Sequence, residues 1–471
     1  MSNQIQPSPI SIPGPAATPI LGRRGNYLRY FRDPIASMQN FYQTYGSVVT
    51  FVENTTSWVF AFGPDYNRQL LTDPELFNVQ LLFLPTPADS AVRRLCTGLL
   101  NMNGDLHRQQ RQLMKPAFHE EHLKSYHAGM VATVQRFLDH WQVGQVLDMA
   151  SELRQLTLYL TTQTLFGLEA SGEMARTLAP LIKQWLLLFT SDVVNQLPLN
   201  LPGLPYRTLL RLSENLESHI QAMITQRQAS PAQPDLLTRL IQARDEGQAG
   251  MTDMELIGET NLAFISGHEK SAVTLMWILF LLSQHPRLAS DLCDELDGLL
   301  HGEAPTSDHL SQLPLLDQVI KESLRILPPI SSLWRLGTAP FELGSYPLPK
   351  GSWVTLSPFV THHLSDFYPE PRRFRPERWS TLTPSPYEYL PFGAGTHACL
   401  GASFAVMQLK IVLTLLLQRY HVTIPPGTKI ETQMKITLSP RYGMPVRLTP
   451  RSEPFTRSEV SGNIRQFVEL A

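Results

Sequence analysis

Cysteine is scarce in this chain: 471 residues hold only three, Cys96, Cys293 and Cys399, far apart and odd in number. That argues against a disulfide framework and against the clustered Cys and His ligands of a zinc site, and it fits a reducing, cytoplasmic setting. Long apolar runs are missing too. No segment reaches the roughly 18 consecutive apolar residues that mark a membrane span. The opening stretch, MSNQIQPSPISIPGPAATPILG, has neither a basic start nor an apolar core, so it reads as a proline-rich arm and not as a signal peptide. An excess of positive charge is absent: the formal net charge is −2, which offers no field for nucleic acid. The glycine-rich fingerprint of nicotinamide and flavin binding is not found.

What is present is mostly helical. Asp33–Tyr45, Pro64–Asp73, His119–His140, Ala150–Leu165, Leu178–Leu197 and Leu204–Arg227 carry apolar residues at spacings of three and four. Asp253–His285 is the longest candidate, with Thr252 or Asp253 to cap it, Glu255 near its first turn and Pro286 to end it. Its roughly 33 residues would extend about 50 Å. Strand patterns appear near Gly46–Glu53, Ser57–Phe62, Val354–Ser357, Lys435–Thr437 and Pro445–Leu448. Together these predict a mainly α protein with small β-sheets, built as one domain over residues 23–450. The proline-rich arm is residues 1–22, and residues 451–471 are a C-terminal extension.

One cysteine stands in an unusual place. The stretch PFGAGTHACL ends at Leu400 and runs into Gly401 and a strongly apolar helix. Cys399 is therefore expected at or just before a helix N-terminus, where unpaired N–H groups and the helix dipole favour a thiolate. Gly393, Gly395 and Gly401 let the loop turn sharply and approach a flat ligand. A thiolate so held suits axial ligation of iron. A buried structural cysteine is the ordinary alternative for a lone residue.

The surrounding residues decide between the two. Phe392-Gly-Ala-Gly395-Thr-His397-Ala-Cys399-Leu-Gly401 resembles the haem-binding loop of the cytochromes P450, F-x-x-G-x-[RH]-x-C-x-G. Glu322-Ser-Leu-Arg325 resembles the family's E-x-x-R, and Phe374-Arg-Pro376-Glu-Arg378-Trp379 its F-x-P-x-R segment. Asp105–Arg111, followed by Pro116-Ala-Phe118, is similar to the helix that meets the haem propionates. The resemblance covers about residues 12–450, with the motifs in the family's order. It implies a cytochrome P450 fold, a single domain of about a dozen or more helices around a buried haem b. It also implies Cys399 as the iron ligand and His107, Arg111, Arg335 and His397 as propionate contacts. Phe392, Gly395 and Gly401 would shape the loop. Glu322, Arg325 and Arg378 would form a buried charge network that specifies the fold; Glu322 and Arg325, three apart, share one helix face.

The long helix departs from the family. Where the pattern is [AG]-G-x-[DE]-T-[TS], this chain has Ser266-Gly267-His268-Glu269-Lys270-Ser271. The family's threonine, which helps deliver protons during dioxygen activation, is Lys270. Gly267 would give dioxygen and the haem room, or else mark a helix crossing. Lys270 has several open readings: a filler that extends away, a partly deprotonated relay aided by Ser271, a partner for an acidic group of the substrate, or a residue that impairs oxygen insertion. Glu269 and Lys270 are adjacent, and adjacent helical positions do not face each other.

By position relative to the motifs, Phe77, Leu81, Phe83, Asn261, Ala263, Phe264, Ile330, Ser331, Leu333 and Leu438 are expected to line an apolar substrate pocket. The function expected is oxygen-dependent hydroxylation of a small hydrophobic or aromatic molecule, in secondary metabolism, with Gly267, Glu269, Lys270 and Ser271 at the reaction centre. Radical coupling or desaturation of aromatic substrates without oxygen insertion is the alternative that Lys270 raises, and a haem-based sensor or carrier is a third. Electrons would come from a separate ferredoxin and ferredoxin reductase, with Arg108 and Lys115 as candidate contacts. The protein is expected to be a monomer.

Overall fold

The computed structural model describes residues 11–52, 57–80, 84–168, 173–229, 235–245 and 251–470. The chain folds as two compact units: residues 1–80, 330–371 and 383–398 make the first, and residues 81–329, 372–382 and 399–471 the second.

The first unit is built on a five-stranded sheet. Its strands lie in the order Val48–Val52, Trp58–Ala61, Trp353–Leu356, Leu333–Gly337 and Phe77–Asn78. The Trp58–Ala61 and Trp353–Leu356 strands run parallel, with Trp58 beside Trp353 and Ala61 beside Leu356; the other pairs are antiparallel. Val59, Ala61, Val354 and Leu356 form its apolar core with Leu70, Leu71 and Phe341. Pro13 accepts a hydrogen bond from the Thr50 backbone at 2.8 Å, so the proline-rich arm lies along the edge of this sheet.

The second unit is helical, and the helix Asp253–Gln284 is its axis. At 32 residues it extends about 48 Å. Thr252 accepts from the Glu255 backbone N–H while Glu255 accepts from the Thr252 N–H, the reciprocal cap that the sequence announced. Apolar residues surround the C-terminal half, where Val273 and Leu275–Leu282 are buried without a polar stripe, as befits a helix enclosed on all sides. Trp277 donates through Nε1 to the Leu438 carbonyl at 2.7 Å and ties the helix to the strand pair Thr432–Met434 and Leu438–Pro440. The residues expected as a strand at Lys435–Thr437 are the turn of that hairpin. The predicted helix Leu178–Leu197 breaks at Thr190–Ser191 into Glu173–Phe189 and Asp192–Gln196.

Inside this unit lies a carboxylate with five donors. Glu322, on the helix Pro314–Ile326, accepts from Arg325 Nε at 3.0 Å and Nη2 at 2.8 Å, Arg378 Nε at 3.0 Å, Trp379 Nε1 at 2.9 Å and the Arg375 backbone N–H at 3.1 Å. Glu322 and Arg325 are wholly buried. Here the sequence expectation of one helix face carrying both residues is met, and Arg378 arrives from 56 residues away. Residues 451–470 belong to the same unit: Arg451 forks onto Asp297 at 2.8 and 2.9 Å, and Ile464, Phe467 and Val468 are buried.

Replacing Glu322 with Gln leaves two buried guanidinium groups without their counter-charge. The free energy of unfolding, measured by urea titration, should drop by about 3–5 kcal/mol. Removing the exposed Glu120–Lys124 pair should leave the midpoint where it is.

Candidate functional site

Cys399 is the exposed member of the three cysteines; Cys293 is buried and Cys96 partly so. Its thiol is nevertheless pushed up from the usual value by burial, so what surrounds the accessible sulfur is largely protein. Lys270, the Gly401 backbone N–H and Arg111 all pull the other way and are outweighed. The helix begins at Ala402 with Gly401 as its cap, so the N–H that favours the thiolate comes from the helix end the sequence points to, and burial opposes it.

The loop before it is held by backbone geometry in the first unit. Gly395 has φ +69°, and a Cβ there would lie 1.9 Å from the Leu71 carbonyl oxygen, so no other residue fits. His397 closes the short turn Gly395–His397, and Phe392 is half-buried. Gly401, in the second unit, is less constrained: an added Cβ would meet the Phe118 ring at an ordinary 3.5 Å.

Three cationic or potentially cationic groups from the predicted set are desolvated. His107 and Arg111 sit one turn apart on the helix Gly104–Met114, and burial lowers the pKa of both. Arg335, on the strand Leu333–Gly337, is 4% exposed and donates to the Trp334 carbonyl at 2.8 Å; burial brings it down to about 10. Neither arginine has a carboxylate partner among the described residues. A buried guanidinium without a counter-ion is costly, and haem carries two carboxylates. An accessible thiol and, in the same unit, the unpaired Arg111 are donors of the kind that group requires, so the residues fit it. Arg108, by contrast, faces outward and pairs with Asp105 at 2.7 Å.

The long helix shows one of the two readings that the sequence leaves open for Gly267. A Cβ on Gly267 would lie 2.5 Å from Thr161 Cγ2 on the helix Met149–Phe166, so this glycine marks a close helix crossing. Glu269 turns to the same helix, where Arg154 donates to its carboxylate from Nε at 3.0 and 3.1 Å and from Nη2 at 3.1 Å. Arg154 is 115 residues away and no motif announces it. Lys270 lies on another face; burial lowers its pKa, while Cys399 and then Glu269 raise it. Ser271 is buried.

Of the expected pocket residues, Leu81 and Phe83 lie outside the described residues. Phe264 is fully buried and stacks on Phe166 with centroids 3.9 Å apart. Asn261 donates to the Leu95 carbonyl at 2.9 Å. Phe77 packs edge-on against Phe341 at 5.0 Å in the core of the first unit. Ser331 is buried and accepts from Ser357 Oγ at 2.7 Å, whereas Ile330 and Leu333 are half-buried. Ala263 and Leu438 are buried. Sequence reasoning missed Glu259, whose side chain is fully buried on the long helix. Neither carboxyl oxygen completes a hydrogen bond, and the Leu99 backbone N–H offsets only part of the burial that pushes its pKa up to about 8.

The family profile described as cytochrome P450 matches residues 12–445. Pentalenene oxygenase of Streptomyces avermitilis is 29% identical over 93% of this chain and 97% of its own. Cyclooctat-9-en-7-ol 5-monooxygenase of Streptomyces melanosporofaciens is 29% identical over 88% of this chain and 90% of its own. Among solved structures, retinoic acid bound cyanobacterial CYP120A1 is similar with a TM-score of 0.80 at 26% identity, covering 94% of this chain and all of that one.

Two outcomes follow from this geometry. Gly267→Ala should lower the thermal midpoint by driving its methyl group into Thr161, and adding Thr161→Gly should recover most of the loss, as scanning calorimetry of the pair will read. Glu259 ionises near its ordinary 4.5 in the unfolded chain but keeps its proton to about 8 in the folded one. The folded state therefore loses stability as pH climbs through that window, by on the order of 5 kcal/mol in full. Urea unfolding at pH 5 and pH 8 should show this loss in the parent and a flatter profile in Glu259→Gln.

Proposed function

The chain belongs to the cytochrome P450 family, and from that premise we propose that it hydroxylates a small hydrophobic isoprenoid through a haem b held by Cys399. The protein is an oxidoreductase of the monooxygenase kind. The observation that carries the reading is the accessible, enclosed Cys399 thiol with Lys270 and Arg111 acting on it and the Gly401 N–H directed at it.

Haem, when bound, supplies the activation of dioxygen and the oxidising power. The chain's own residues do the rest. Cys399 would hold the iron as a thiolate, an electron-donating ligand suited to that chemistry. His107, Arg111, Arg335 and His397 hold the propionates; arginine suits the planar, two-pronged geometry of a carboxylate. Phe392, Gly395 and Gly401 shape the loop that presents the sulfur. Gly267 and Glu269 fix the long helix against Met149–Phe166, and Lys270 and Ser271 stand at the reacting side. Electrons come from a separate ferredoxin and its reductase.

The substrate class is extended from relatives. Pentalenene and cyclooctat-9-en-7-ol are terpenoids, retinoic acid is an isoprenoid, and the apolar residues Ala263, Ile330, Leu333 and Leu438 suit such a skeleton. A second reading, radical coupling or desaturation without oxygen insertion, rests on a single feature: position 270 lacks the hydroxyl that the family uses for proton delivery.

Purified Cys399→Ala should lose the thiolate-type absorption of the reduced carbon monoxide complex, whereas Cys96→Ala and Cys293→Ala should keep it. With ferredoxin, reductase and a terpene under isotopically labelled dioxygen, the parent protein should place the label in its product. An unlabelled, coupled or desaturated product would favour the second reading.

A further inference from the structure

Residues 1–32 contain four arginines, at positions 23, 24, 29 and 32, and no Asp, Glu or Lys. That is a basic stretch on a chain whose net charge is −2. Three of the four most exposed large apolar side chains among the described residues lie in the same stretch. Ile20 is 95% exposed, Leu28 65% and Phe31 59%, and Leu21 is exposed as well. None of these four belongs to the apolar core of the first unit's sheet.

The backbone holds these side chains outward. Thr18 and Gly22 exchange backbone hydrogen bonds at 3.0 and 2.9 Å, and Thr18 Oγ1 donates to the Gly22 carbonyl at 2.7 Å. Ile20 and Leu21 thus ride on a turn that closes its own polar groups. The helix Arg23–Arg32 packs on that turn: a Cβ on Gly25 would lie 2.0 Å from Thr18 Oγ1. The helix's inner face is Asn26 and Tyr30, one turn apart and both buried. Asn26 donates to the Pro15 and Ala16 carbonyls at 3.3 and 3.2 Å, and the Tyr30 ring packs on Trp58 and Phe60 of the sheet. Leu28 and Phe31, three apart, are left on the outer surface, each followed by an exposed arginine, Arg29 and Arg32. The first carboxylate along the chain, Asp33, is turned to the Ala36 backbone N–H at 3.1 Å.

We propose that residues 20–32 form a peripheral docking surface for an anionic lipid membrane. The apolar side chains enter the headgroup boundary while the guanidinium groups meet lipid phosphates. Leucine beside arginine, and phenylalanine beside arginine, suit a boundary where hydrocarbon and negative charge lie side by side. An acidic protein would answer the arginines but would need a pocket of its own for Ile20, at the tip of its turn; a lipid surface needs none. No described helix is long and apolar enough to cross a membrane, and the attachment proposed is peripheral. The inference stands on this surface alone and does not depend on the substrate reading.

The test is co-sedimentation of the full chain with vesicles of phosphatidylcholine alone and of phosphatidylcholine with about one-third phosphatidylglycerol. The parent should bind the anionic vesicles about tenfold or more tightly than the neutral ones. Raising the salt from about 0.05 to 0.5 M should remove most of that advantage, because screening shortens the reach of the field. Arg29→Gln combined with Arg32→Gln should lower the partition coefficient about thirtyfold. Ile20→Ser combined with Leu28→Ser should lower it about tenfold. Tyr442→Ser, which removes a comparably exposed side chain of the second unit, should leave it unchanged. All these side chains are exposed, so each variant should keep the parent's thermal midpoint, which separates lost docking from lost folding. Equal binding to the two vesicle types, no binding to either, or an undiminished partition coefficient in either double variant overturns the proposal. Binding to polyglutamate without binding to vesicles also overturns it and assigns the surface to an acidic protein.

Discussion

A single carboxylate with five donors organises the second unit. Glu322 sits where no water reaches, and Arg325, Arg378, Trp379 and the Arg375 backbone all converge on it. Such a group does not add much net stability over an apolar substitute, because desolvation consumes most of the attraction. What it adds is uniqueness. Three of the five donors come from the segment 372–382 and two from Arg325, so the carboxylate fixes that segment on the helix Pro314–Ile326.

The long helix meets a different constraint. Its C-terminal half is enclosed by apolar side chains, and its N-terminus is closed by the Thr252–Glu255 reciprocal cap. Between them, Gly267 and Glu269 fasten it to Met149–Phe166 by contact and by charge. Lys270 follows directly in sequence and yet points elsewhere, as one helical step of about 100° requires. Gly267, Glu269 and Lys270 thus share about one turn of the helix without competing for the same side chains.

Much of this was legible beforehand, and the reason is locality. Glu322 and Arg325 lie one turn apart; Thr252 and Glu255 form a cap within four residues; the glycines before Cys399 declare a loop. The parts that stayed hidden depend on pairings across the chain. Nothing near Arg154 says that it meets Glu269, and nothing near Thr161 says that it fills the notch at Gly267. Phe264 is expected in the pocket from its position relative to the motifs, and its stacking on Phe166, 98 residues earlier in the chain, has no mark in the sequence. Lys435–Thr437 read as a strand from its β-branched residues, while the register of Thr432 with Pro440 makes it the turn. At Cys399 the helix-end electrostatics can be seen in a sequence, and the burial that opposes them cannot.

The crossing at Gly267 also bears on how this enzyme could change. With a backbone seated against Thr161 and no room for even a methyl group, the helix can neither roll nor slide by a fraction of a turn without a clash. It behaves as a keyed shaft. A substitution at position 270 then exchanges one side chain for another at a fixed bearing, and the frame around it does not move. A change at position 270 is then separable from the fastening, while the notch at Gly267, three residues upstream, admits a side chain only if Thr161 gives way.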